Sequence, residues 1–166
     1  MPEPDFDPAA ILATLRRHAV DFVVVDGLAG LAHGSQYPTA DTDVVYARGR
    51  ENLLRLAAAL RELGATLRGA PPGLPFQLDA ETLRAGANFT FDTTMGPLDI
   101  LGDAAGAPRY ELLHDASMRT TLFSIDVHVA SLDHLIAMKE AAGRPKDILM
   151  ASEYRTISDE LRRDQS

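Results

Sequence analysis

The sequence predicts an α+β fold, with a small mixed sheet flanked by helices and a helical C-terminal end. Three observations carry this prediction. Phe22-Val23-Val24-Val25 is a compact, β-branched run of the kind that forms a buried strand. Leu53, Leu56, Leu60 and Leu63 recur on one helical face. Beyond residue 88 several short segments alternate apolar with polar residues, and helical spacing then takes over to the end of the chain.

Taken in order, Asp7-Pro8 reads as an N-cap followed by proline at the first helical position, and Ile11, Leu12 and Leu15 keep helical spacing to about Ala19. After the strand at 22–25, Gly27 permits a tight turn into a short helix over Leu28 to His33. Gly34 to Ala40 is a loop by composition, and Asp41 to Ala47 is the second strand. Gly64 closes the leucine-striped helix. Ala65 to Arg68 can form a short strand, and the glycine- and proline-rich stretch at 69–75 is a loop inside one unit rather than a linker between two. Phe89, Phe91 and Thr93 alternate with polar neighbours, Leu98 to Leu101 is apolar apart from Asp99, and Met95-Gly96-Pro97 supplies the bend between them. Ile125, Val127 and Val129 form a further strand. Ser131 caps a helix through Leu132, Leu135, Ile136 and Met138, Gly143-Arg144-Pro145 breaks it, and a last helix runs from about Lys146 to Arg163. A single domain over residues 1–166 is expected, its α/β core reaching residue 130 and the helices from 131 packing on it.

The 166 residues are 46% hydrophobic, enough for a substantial core, and the formal net charge is −8. That balance argues against nonspecific binding to nucleic acid or to an anionic membrane, so no DNA partner is expected. With no cysteine, the chain can form neither a disulfide nor a thiolate zinc site. The acidic start, Met1-Pro2-Glu3-Pro4-Asp5, carries no apolar signal core, and no run approaches a membrane span, so a cytoplasmic location is expected.

Asp41 and Asp43 are the candidate chemistry. In an extended strand, residues i and i+2 face the same side. Two acids held together repel, and a divalent cation is the usual compensation because hard cations prefer oxygen ligands. Just upstream, the Val25-Asp26-Gly27-Leu28 turn opens a helix, whose unpaired N–H groups suit a phosphate. Asp99 sits between Leu98 and Ile100, where burying a charge is costly unless something binds it. Three convergent carboxylates can hold two magnesium ions, which clamp the oxygens of a phosphoryl transfer. Asp92 and Asp126 are rivals for the third position. His33 reads as a capping or packing residue and His128 as solvent-facing beside Asp126, with no zinc site implied.

Phe22 to Tyr46 resembles the nucleotidyltransferases of the DNA polymerase beta superfamily: a strand, a glycine turn, a short spacer, then Asp-x-Asp on the next strand and a third carboxylate from a later one. Gly27-Leu28-Ala29, His33-Gly34, Thr39 and Asp41-x-Asp43, with Ser131 to Lys139 and Ala142 to Asp147, are similar to small nucleotidyltransferases related to abortive-infection toxins of type IV toxin–antitoxin systems. The resemblance implies Asp41, Asp43 and Asp99 as ligands of Mg2+ or Mn2+, with Asp99 also orienting or deprotonating an acceptor hydroxyl. It implies a nucleoside triphosphate (NTP) held at Gly27, Leu28 and Thr39 and neutralised by Lys139, Arg144 and Lys146. The reaction it implies moves a nucleoside monophosphate to a hydroxyl of an RNA end, a protein or a small molecule, with an antitoxin protein as a further partner. Two positions depart from the pattern: Asp26 stands where the family has its first glycine, and Tyr37 where it often has arginine. Both remove positive charge from one site, which keeps open a non-catalytic nucleotide- or partner-binding module on the same fold.

Overall fold

The computed structural model describes residues 5–71 and 73–165. The acidic start Met1 to Pro4, Pro72 of the 69–75 loop, and Ser166 lie outside the described residues.

Asp7 accepts the Ala10 N–H at 3.0 Å and starts α1 (Pro8–Arg17). Strand β1 (Phe22–Val25) runs directly into α2 (Asp26–Ala32), which begins two residues before the predicted start. Asp26 makes the junction with φ 58°, the left-handed geometry in which a strand can turn abruptly into a helix. Strand β2 (Thr42–Tyr46) is shorter than predicted and leaves Asp41 in the preceding loop. Helix α3 (Arg50–Glu62) carries the leucine stripe, and β3 (Thr66–Leu67) is two residues long. Helix α4 (Ala80–Ala85), capped by Asp79, was not anticipated from the sequence. Strands β4 (Asn88–Thr93) and β5 (Gly96–Leu101) form the expected hairpin. Helix α5 (Tyr110–Asp115) and β6 (Met118–Leu122) are further additions, followed by β7 (Ile125–Val129), α6 (Leu132–Ala142) and α7 (Pro145–Asp164).

The strands join one mixed sheet in the order β3-β4-β5-β2-β1-β7-β6. Strand β2 lies antiparallel to β1 and parallel to β5, and β1 lies parallel to β7. The centre of the sheet is the driest part: every residue of β1 and β2 is buried, which fits the continuous apolar runs seen in the sequence. Helix α2 packs on β1, β2 and α6, and α6 packs on α7, so the C-terminal helices close over the turn at Asp26.

The contact between α2 and α7 is close enough to exclude a side chain. A Cβ at Gly30 would lie 2.5 Å from Tyr154 Oη and 3.1 Å from its ring carbons. Tyr154 is fully buried, and its hydroxyl has no hydrogen-bond partner among the described residues. Gly30→Ala is therefore expected to destabilise the protein by about 1–3 kcal/mol, overpacking outweighing the better helix propensity of alanine. Denaturant unfolding checks this. Adding Tyr154→Phe to Gly30→Ala should recover much of the loss, because it removes the nearest atom together with a buried, unbonded hydroxyl.

Candidate functional site

The sheet register brings the acids together. Asp43 pairs with Val25 on one side and with Asp99 on the other, across the parallel β2–β5 ladder. Asp99 continues the row to Thr90 on β4, and Arg68 donates its backbone N–H to Thr90 O at 2.9 Å. Asp43 is only 8% exposed, while the Asp99 side chain is 18% exposed. The register sets Asp43 and Asp99 directly side by side on neighbouring strands. Burial first, then the negative charges of Asp26, Asp99 and Asp41, push the Asp43 carboxyl up to about 8. Burial also raises Asp99, and Arg68 opposes that rise. Asp41 acts on Asp43 from the loop before β2, so the pair meets as the strand argument requires even though only Asp43 lies in the strand.

Arg68 was not anticipated. Its Nη2 donates to Asp99 Oδ1 at 2.9 Å and to Phe91 O at 2.7 Å, and its Nε donates to Asp92 Oδ1 at 3.2 Å. Asp92, a rival for the third carboxylate, is thereby assigned to the Arg68 contact. Asp126 lies on β7, beyond β1, and accepts from Thr121 at 3.2 Å. His33 caps α2 and bonds Ala130 O through Nε2 at 2.8 Å, a structural role. His128 is not simply solvent-facing: its ring lies 4.3 Å from that of His114, and its Nδ1 is 3.1 Å from Ser117 Oγ.

Asp41 and Asp43 open onto a cleft of ≈ 430 Å³ whose lining also includes Gly27, Thr39, Lys139, Arg144 and Lys146. Most residues singled out in the sequence are therefore in one place. Asp99 and Leu28 are the exceptions: Asp99 stands beside Asp43 across the ladder rather than in the lining, and the Leu28 side chain is buried in the core and can offer the site only backbone. Thr39 acts indirectly. Its hydroxyl donates to Asp41 O at 3.1 Å, and a Cβ on Gly27 would fall 2.6 Å from its Oγ1. Glycine at 27 thus lets Thr39 close down and fix the Asp41 loop. Tyr37 is half-buried against the core and supplies no cation.

Lys139 is not a solvated helix-end lysine. Its Nζ contacts Asp26 Oδ1 at 2.5 Å and Asp147 Oδ1 at 3.4 Å, and its side chain is 9% exposed. Asp147 is 1% exposed and also accepts from Arg144 Nε at 2.6 Å and from Arg144 N at 3.3 Å, closing the first turn of α7. Lys146 stands on the exposed rim.

Among the described residues no three His, Cys, Asp or Glu side chains form a ready-made cation cage. The donor set still fits a hard divalent ion. Asp43 is a buried carboxyl pushed up by burial and by the negative charges of Asp26, Asp99 and Asp41, a repulsion that a cation would relieve. Mg2+ is commonly held by one or two carboxylates, with water and substrate phosphate completing the shell.

No family model matches the chain, and no curated protein is detectably similar to it. Solved structures are similar in shape. The Thermotoga maritima protein TM1012, assigned to the nucleotidyltransferases, superimposes with a TM-score of 0.54 at 13% identity, covering 95% of this chain and 97% of that one. The antibiotic-resistance factor ANT(2")-Ia, in complex with adenylyl-2"-tobramycin, gives 0.54 at 13% identity over 96% and 97%. The lincosamide antibiotic adenylyltransferase LnuA, with lincomycin bound, gives 0.60 at 12% identity over 90% and 95%. No described helix is long and apolar enough to cross a membrane. Identities this low speak to architecture alone, and the architecture of this chain is the nucleotidyltransferase fold.

Proposed function

We propose that the protein is a metal-dependent nucleotidyltransferase that moves a nucleoside monophosphate from an NTP to a hydroxyl of a small molecule. The observation that carries this reading is the placement of Asp43 beside Asp99 across a parallel ladder, with Asp41 and Asp43 lining a cleft that also gathers Lys139, Arg144 and Lys146. Asp41, Asp43 and Asp99 would hold Mg2+ or Mn2+. When bound, the ion supplies charge neutralisation at the phosphoryl oxygens. The chain's own residues do the rest. The Gly27 turn and the rim cations Arg144 and Lys146 position the polyphosphate. Asp99, its Oδ1 held by Arg68, orients the acceptor hydroxyl and takes its proton. Such chemistry rests mainly on positioning and electrostatic stabilisation.

A small-molecule acceptor is supported by the net charge of −8, which disfavours a polyanionic acceptor, and by the antibiotic ligands bound in two of the similar structures. The toxin reading, with an RNA end or a protein as acceptor and an antitoxin as partner, rests on the two sequence blocks alone. A non-catalytic module is favoured by one observation: two of the cleft's basic residues, Lys139 and Arg144, already pair with Asp26 and Asp147.

Incubation with each α-labelled triphosphate, Mg2+ and panels of hydroxylated small molecules, transfer RNA and proteins separates these readings. Transfer to a small molecule supports the proposal. Labelling of RNA or protein alone moves the acceptor to the toxin class, and triphosphate binding without transfer to anything leaves the module.

A further inference from the structure

We propose that Asp26 is a donor-selectivity residue: its carboxylate occupies Lys139 as a built-in anion, so that polyphosphate enters the cleft only with its cation. The inference rests on the nucleotide reading of the cleft and adds a property to it.

Lys139 is the most enclosed basic group of the site, and its own chain satisfies it from both sides, by Asp26 at 2.5 Å and Asp147 at 3.4 Å. The acids lining the cleft, Asp26, Asp41, Asp43 and Asp147, outnumber its bases, Lys139, Arg144 and Lys146. A bare polyphosphate therefore meets no excess of positive charge. It can reach Lys139 only by turning Asp26 away while remaining beside Asp41 and Asp43, with no cation of its own to offset them. A polyphosphate that carries a divalent ion brings the charge that those two acids lack, and exchange with Asp26 becomes favourable.

Two features mark Asp26 as more than a spacer. It holds φ 58°, where glycine is at ease and most side chains are strained, although aspartate tolerates the region better than most. Its carboxylate accepts a hydrogen bond from Lys139. The side chain is also 41% exposed, so it can swing out to water at low cost, whereas Asp147, at 1%, cannot. Lys139 in turn has room to move. It lines both the main cleft and a second cavity of ≈ 180 Å³ bounded by Asn88, Leu101, Leu135 and Met138.

The test is calorimetric titration of inorganic tripolyphosphate and of ATP, each in EDTA and in Mg2+, into the wild type, Asp26→Asn and Asp26→Gly. Asp26→Gly suits the backbone at this position, which offsets the lost Lys139 contact, and its melting curve guards against a folding artefact. Both variants are expected to bind tripolyphosphate in EDTA at least about tenfold more tightly than the wild type, with a smaller gain on adding Mg2+. Lys139→Met in the Asp26→Asn background should erase that improvement. If the wild type binds Mg2+–ATP but the variants show unchanged metal-free affinity, the selectivity role is overturned while the nucleotide reading stands. If none of the three proteins binds ATP or tripolyphosphate under either condition, the nucleotide reading fails and this inference with it.

Discussion

Asp43→Asn is expected to lower nucleotidyl transfer by on the order of 10³-fold and, in the absence of metal, to make the protein more stable. The loss follows from removing the most enclosed carboxylate of the ion-binding group while keeping its shape. The gain follows from linkage. The folded protein holds this carboxyl near 8, above its ordinary range in an unfolded chain, because it is buried among acids. Below the unfolded value both states bind the proton, and Asp43 costs nothing. As pH rises from about 4 to about 8 the unfolded chain gives up its proton first, so the wild type loses stability across that window. At pH 8 the penalty is on the order of 2–4 kcal/mol, and Asp43→Asn removes it. Urea unfolding at pH 4, 6 and 8 checks the sign: the two proteins should converge at pH 4 and separate at pH 8. Mg2+ should raise the melting temperature of the wild type more than that of Asp43→Asn. Equal stabilisation of both would remove Asp43 from the ion site.

Asp147→Ala should act in the opposite direction, costing about 2–4 kcal/mol at neutral pH. Asp147 is almost wholly enclosed and is shared by Lys139 and Arg144. The Arg144 contact contributes little by itself, because that side chain is 74% exposed. The larger effect is on Lys139, which is left buried with Asp26 alone. The Arg144 hydrogen bond holds the Asp147 carboxyl below the usual carboxylate range, with Lys139 adding to it. A depressed acid contributes stability above its unfolded value and loses it as pH falls through the folded one. The wild type should therefore shed this contribution below about pH 4, and Asp147→Ala should show a shallower acid transition. Unfolding curves at pH 7 and pH 3 measure both.

The central strands were legible because they need no partner to be recognised. Phe22 to Val25 and Val44-Val45 are continuous apolar runs, and Leu98 and Ile100 bracket Asp99 in the period of a strand. What could not be read was which strands lie side by side. The parallel pairing of β2 with β5 is non-local, and nothing at either strand announces it. Arg68 escaped notice for the same reason: it becomes part of the site only because β3 and β4 carry it into the row of Asp43 and Asp99. Asp147 lay within a segment read as a motif, yet its role depends on Lys139 approaching from another helix. Helices α4 and α5 are six residues each, too short to show periodicity, and β6 reads Met-Arg-Thr-Thr-Leu with no apolar alternation to mark a buried face. Asp26 was visible as a departure from a glycine pattern. Its left-handed backbone and its hold on Lys139 were not.

The ladder between β2 and β5 also makes the gap between the two central acids a property of the backbone rather than of any loop. Neighbouring strands stand about 4.8 Å apart whatever their side chains, so the gap cannot widen gradually. It changes only in whole steps, and a slip of one residue would turn Asp99 to the other face of the sheet. The surrounding helices and turns can therefore be rebuilt for a new acceptor without retuning the distance between the two acids.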